Sequence, residues 1–136
     1  LYGAWLCGLC LGSVGMALHH KLCHTLGGSF DLPHAETHTV VLPHAVAYNA
    51  DAAPEAMAAI CRAIGARDAA QGLFDLAGSL GVKQALRDLG MPADGIEKAA
   101  DIALEKPYWN PRPIERGPIR DLIARAHAGE RPLAGA

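Results

Sequence analysis

Leu18-His19-His20-Lys21-Leu22-Cys23-His24-Thr25-Leu26-Gly27-Gly28, followed by Ser29-Phe30-Asp31-Leu32-Pro33-His34, is the stretch on which the fold and chemistry of this chain turn. Upstream of it, Leu1 to Leu18 holds no charged residue, and one helix is expected from about Ala4 to Leu26. Gly27 and Gly28 would close it, because glycine takes the left-handed conformation that other residues resist. Pro33 and His34 restart the chain. The run Ala35 to Asn49 reads as a second helix that Pro43 must kink or interrupt, since proline lacks the amide donor and its ring clashes with the preceding turn.

Further out, Pro54 suits the first turn of a helix through Ile64, stopped by Gly65. Asp68 can cap the next helix, through Leu80 with Gly81 behind it, in which Leu73, Leu76, Ala77 and Leu80 recur at the spacing of one buried stripe. A short piece covers Val82 to Leu89, and Asp94 opens a helix to about Lys106. The proline-bearing run Pro107 to Pro118 is too broken to be helical, so the last helix is expected from Ile119 to near Gly129. Residues Gly129 to Ala136 are expected to fray. Val40, Val41 and Leu42 are too short a run, and too close to Pro43, to found a sheet. The fold class is therefore an all-α helical bundle, and 136 residues suffice for one core. Composition agrees: 51% of residues are apolar but only 5% aromatic, a mixture that suits closely packed helices.

The charge balance, 12 basic against 14 acidic residues, offers no footprint for a nucleic-acid backbone. Four cysteines embedded in apolar helical sequence do not read as a disulfide framework, and reduced thiols in a cytoplasm are expected. The uncharged opening lacks the basic region of a signal peptide, and a membrane span would not ordinarily run straight into His19, His20, Lys21 and His24. A helix buried inside a bundle is the preferred reading. The chain has no initiator methionine and opens within a helix, so it is expected to be a fragment.

Six of the seven histidines lie between His19 and His44. His20 and His24, four residues apart on one helix, stand on the same face and can point into one pocket. A reversal at the diglycine would bring His34 back beside His20. Imidazoles converging from two helices suit a divalent metal such as zinc or iron(II), completed by carboxylate or further histidine. Asp31 and Glu36 do not fall into line as further ligands. The alternative is that these histidines are hydrogen-bonding residues at a helix junction.

Cys7 and Cys10 are spaced as in zinc fingers and redox motifs, but only nine residues separate Cys10 from His20, and no strand precedes the pair. With Gly8 and Gly12 they read as small residues that let another helix approach. No dinucleotide fingerprint and no P-loop is present, so any nucleotide must be held mainly elsewhere.

The pattern His20-x-x-x-His24-x-Leu26-Gly27-Gly28, then Pro33-His34, resembles the signature of the iron-containing alcohol dehydrogenases. Val41-Leu42-Pro43-His44 and Asn110-Pro111-Arg112-Pro113 are similar too, so the resemblance spans essentially the whole chain. Within that superfamily, Leu18 to His24, Pro33-His34-Ala35-Glu36-Thr37-His38 and Tyr108 to Ile114 are similar to maleylacetate reductases.

The resemblance implies the carboxy-terminal helical domain of the dehydroquinate synthase-like, iron-containing alcohol dehydrogenase fold, facing an amino-terminal nucleotide-binding domain across the active-site cleft. It implies NADH or NADPH as cofactor and the reduction of maleylacetate to 3-oxoadipate in aromatic-compound breakdown. His20 and His34 correspond to two ligands of a metal, iron or zinc, and His24 to the histidine near nicotinamide and substrate; the remaining ligands, an aspartate and a histidine, would come from upstream of Leu1. Maleylacetate reductases are regarded as working without metal, in which case the same histidines polarise the substrate and exchange protons. Lys21 is the candidate cation for a dicarboxylate substrate, against the alternative of a solvated lysine. The expected partners are that substrate, the missing domain and a second copy in a homodimer, with no nucleic acid and no membrane. Without the missing domain the isolated chain is expected to be inactive. A different class also fits the sequence: a free-standing helical metal-binding or protein-interaction module.

Overall fold

The computed structural model describes residues 1–134, and among them every regular element is helical. The α-helices are α1 (Tyr2–Ser13), α2 (Leu18–Phe30), α3 (His34–Asn49), α4 (Pro54–Ile64), α5 (Ala69–Ser79), α6 (Gly95–Leu104) and α7 (Arg116–Ala128). Two single turns of tighter helix, Ala50–Ala52 and Leu86–Leu89, link them. The all-α expectation holds.

The core forms where the apolar stripes of four helices meet. Leu18, Leu22 and Leu26 recur every four residues along α2 and are fully buried. They face α3 and α6, and α7 closes the bundle against α3 and α6 with Ile119, Leu122, Ile123 and Ala126. Ala99, Ala100 and Ala103 keep α6 thin enough for its neighbours to approach closely. Helix α5 packs on α3, and α4 on α5, as an outer layer. Asp68 caps α5 as its position suggests, accepting the Gln71 amide at 2.8 Å.

Several boundaries differ from the sequence reading. The expected single first helix is two helices bent by 92°, because the chain turns extended at Val14 between Gly12-Ser13 and Gly15. Gly27 and Gly28 do not end α2; they lie inside it, and the left-handed residue is Asp31 (φ 52°), a residue type whose short polar side chain tolerates that conformation. Pro43 does not interrupt α3, which runs through it. Val82–Leu89 is helical only as the turn Leu86–Leu89, and α7 begins at Arg116, before Ile119, with Pro118 in its first turn.

The tail does not fray as far as it is described: Arg131 pairs with Asp75 at 2.5 Å, Gln71 donates to the Pro132 carbonyl, and Pro132 is buried. The rest of the expected frayed stretch, residues 135 and 136, lies outside the described residues.

Helix α1 also departs from expectation. None of its residues is buried, and Tyr2, Trp5, Leu6 and Leu9 are exposed, because no other described segment packs against this uniformly apolar helix. Cys7 and Cys10 are exposed there as free thiols, and nothing lies within 4 Å of a Cβ built on Gly8 or Gly12, so no described helix uses that small-residue surface. No single helix among the described residues is long and apolar enough to cross a membrane.

Candidate active site

The burial of Leu18, Leu22, Cys23 and Leu26 fixes the opposite face of α2 toward solvent. At about 100° per residue, that outward face carries His20, Lys21 and His24. On α3 the stripe that buries Val41, Ala45 and Tyr48 continues toward the helix start as His38 and His34, where it emerges from the core. Packing α2 on α3 therefore brings the two sets of histidines together.

The start of α2 is held by the proline-bearing segment. Asn110 Oδ1 accepts the Leu18 amide (3.3 Å) and the Asn49 side-chain amide (3.2 Å), while its own Nδ2 donates to Asn49 Oδ1 and to the Arg112 carbonyl, each at 2.7 Å. Arg112 lies over the Tyr48 ring at 4.3 Å and donates to the Tyr48 carbonyl; the Tyr48 hydroxyl donates to the Pro113 carbonyl at 2.6 Å. The residue just before His19 is thus tied to the far end of α3.

Five imidazoles form one contiguous cluster. Ring centroids are 6.3 Å apart for His20 and His24, 4.9 Å for His20 and His38, and 4.9 Å for His19 and His38. His34 stands 4.3 Å from His38 and 6.4 Å from His24. The three site histidines expected from sequence, His20, His24 and His34, belong to this cluster, and Cys7 and Cys10 remain apart on α1. The reversal that joins them runs through Asp31 and Pro33. Lys21 is exposed, three residues from His24 along the same outward face.

Two members were not singled out from sequence. His19 and His38 are half-buried, and the His19 Nε2 hydrogen donates to the His38 carbonyl at 2.9 Å. The His34–His38 spacing repeats that of His20–His24 and was available as a signal. Burial lowers the His19 pKa despite the hydrogen bond to the His38 carbonyl, and the nearby His20 lowers it further. Burial, then repulsion from His19, His34, His20 and His24, brings the His38 pKa down to about 4. At neutral pH both are uncharged imidazoles, able to donate from one nitrogen and offer a lone pair from the other. Such rings suit a divalent metal or a polar substrate oxygen.

His44 lies elsewhere, 3% exposed and edge-on to Phe74 at 6.4 Å. Burial, and secondarily Arg125, lowers its pKa to about 4. An unfolded chain protonates its histidines near pH 6.5, whereas folded His38 and His44 take up protons only near pH 4. The unfolded state therefore binds more protons across that window, and stability falls as pH drops through it. The thermal midpoint of the full-length protein is expected to decline from pH 6.5 toward pH 4, with two imidazoles titrating near 4 by NMR. A flat midpoint over that range contradicts the burial of these rings.

Histidines from two helices of an all-helical chain thus converge beside an exposed lysine. The chain belongs to the Fe-containing alcohol dehydrogenase family, whose C-terminal family model matches residues 1–127. Its similarity is closer to one branch: it is 61% identical to the maleylacetate reductase of Burkholderia cepacia over 132 residues, which are 97% of this chain and 38% of that protein. It superimposes on the crystal structure of maleylacetate reductase from Agrobacterium tumefaciens with a TM-score of 0.92 at 58% identity, over 96% of this chain and 37% of the other. For the reductase of Rhizobium sp. strain MTP-10005 the figures are 0.92 and 53%, over 97% and 37%. The chain thus spans under two-fifths of the length of the relatives it matches.

Proposed function

We propose that this chain is the carboxy-terminal helical part of an NAD(P)H-dependent maleylacetate reductase and forms the histidine-lined wall of its active site. The observation that carries the proposal is the cluster of His20, His24, His34 and His38 beside exposed Lys21, in a chain 61% identical to a named maleylacetate reductase. On this reading the rest of the site, including a nucleotide-binding domain, corresponds to the part of the relatives' length that this chain does not span, so the isolated 136 residues are expected to be inactive.

NAD(P)H, when bound, would supply a hydride to the conjugated double bond of maleylacetate, and a divalent metal, if held by His20 and His34, would polarise the substrate oxygen. The work of this chain is to receive the charge that results. Negative charge collects on the enolate oxygen, and N–H donors already oriented in a water-poor cleft stabilise it. His24 is the proposed donor, joined by His20 where His20 holds no metal, and the donor can then pass a proton to the carbon skeleton to give 3-oxoadipate. Lys21, on the same face of α2, is the proposed partner of a substrate carboxylate.

Lys21→Ala tests that assignment by kinetics on the full-length protein. A hydrogen bond to a charged group is worth roughly 1.5–3 kcal/mol, so KM for maleylacetate is expected to rise about tenfold or more. If the lysine holds the carboxylate equally in ground and transition states, kcat stays near the parent value. An unchanged KM assigns Lys21 to solvent.

A further inference from the structure

We propose that Asn110 is a positioning residue for the active site: from 92 residues along the chain it caps the start of α2 and so fixes where His19 and His20 stand. The proposal rests on the functional reading only for the name of the reaction that loss of Asn110 slows. Helix α2 has no cap of its own. Ala17 precedes it with no side-chain oxygen, and its first turn carries no acidic residue. Helix α1, set at 92° to it, buries none of its own residues and offers that end no support within this chain. Among the described residues, the Leu18 amide at the head of the helix is met by Asn110 Oδ1, at 3.3 Å. An N–H in the first turn has no partner inside its own helix, so a side-chain oxygen aimed at it both satisfies the group and sets where the helix begins.

Asparagine suits this place because all four of its hydrogen-bonding positions are used. Oδ1 accepts from Leu18 and from the Asn49 side chain, while Nδ2 donates to Asn49 Oδ1 and to the Arg112 carbonyl. A backbone amide can only donate and a carbonyl can only accept, so Leu18 and Arg112 admit one orientation of the Asn110 amide. Aspartate lacks both donors, and glutamine carries its amide one methylene too far out. The cap is itself held stiffly. Pro111 and Pro113 have a fixed backbone φ, the Pro113 carbonyl accepts from the Tyr48 hydroxyl, and Arg112 lies over the Tyr48 ring and donates to the Tyr48 carbonyl. Pro111 lines the same cavity as His19 and His20, so the segment that carries Asn110 also borders the site. The two residues that follow Leu18 are His19 and His20. A shift of the helix start therefore reaches both rings, and misplacing a reacting group by about 1 Å can slow a reaction about 10²-fold.

The test uses the full-length protein carrying Asn110→Ala and reads it in two ways. Steady-state kinetics with NAD(P)H and maleylacetate are expected to show kcat lowered by about 10- to 100-fold. KM should stay within a few-fold of the parent value, because the hydrogen-bonding groups of Asn110 are engaged within the protein and leave none for substrate. Hydrogen exchange followed by mass spectrometry is expected to show the first turn of α2 exchanging several-fold faster, with α6 and α7 unchanged. Leu22→Ala, in the core of the same helix, is the comparator. A merely structural Asn110 follows its pattern, losing stability while the folded enzyme keeps its kcat. Parent kcat in well-folded Asn110→Ala, a raised KM with kcat unchanged, or unaltered exchange at the start of α2 would each overturn the proposal. Where Asn110→Ala folds poorly, Asn49→Ala withdraws one support of the cap and is expected to move exchange and kcat in the same directions by smaller factors; unchanged exchange in that variant counts equally against the proposal. Exchange is measured without substrate, so a protein that turns over no maleylacetate sinks the reductase reading and still leaves the cap tested.

Discussion

His24→Ala in the full-length protein is expected to lower kcat with maleylacetate by roughly 10²-fold or more, the scale on which a lost general acid or charge-stabilising donor acts. The thermal midpoint should barely move. His24 is exposed on the outward face of α2, opposite the leucines that hold the helix in place, so truncating it leaves no cavity and exposes no buried partner. A structural histidine behaves in the opposite way, losing stability and keeping the turnover of whatever remains folded. Steady-state kinetics and thermal unfolding on the same preparation distinguish the two. Near-normal turnover in a well-folded His24→Ala removes the residue from the mechanism.

Leu22→Ala is expected to show the converse. Leu22 is fully buried in the middle of α2, in the core that α3 and α6 complete. Deleting its branched side chain there forfeits transfer free energy and leaves a cavity, a loss of about 2–5 kcal/mol in chemical unfolding. Because Leu22 points away from His20 and His24, turnover at low temperature should survive within a few-fold. A loss below about 1 kcal/mol means that the α2–α3–α6 packing is looser than its complete burial indicates.

What was legible in the sequence follows from what is local. The helical class, the start of α4 at Pro54 and the cap of α5 at Asp68 are set by residues within a turn of the feature itself. The histidine pair on α2 was legible for the same reason, since a spacing of four fixes a shared face whatever else happens. The missed features depend on distant partners or on an absence of contrast. The bend between α1 and α2 falls inside an uncharged run, where no change of polarity marks it. Two glycines inside α2 look like a stop, yet the helix continues to Phe30, and the left-handed turn falls on Asp31 instead. The tail is held by Arg131 to Asp75, a pairing across 56 residues that no window of sequence contains. His38 was legible from its four-residue spacing to His34, whereas His19 is fixed by a hydrogen bond from its side chain to the His38 carbonyl on the neighbouring helix, which spacing along either helix alone does not reveal. The family signature, by contrast, was readable because its histidines, glycines and proline-histidine fall in one register.

Assaying the full-length protein with NADH and with NADPH, and following nicotinamide oxidation in the presence of maleylacetate or of a simple aliphatic aldehyde, distinguishes a maleylacetate reductase from an alcohol dehydrogenase. Oxidation that depends on maleylacetate, yields 3-oxoadipate and is faster than with the aldehyde is the predicted result. Efficient aldehyde reduction with no turnover of maleylacetate would contradict it.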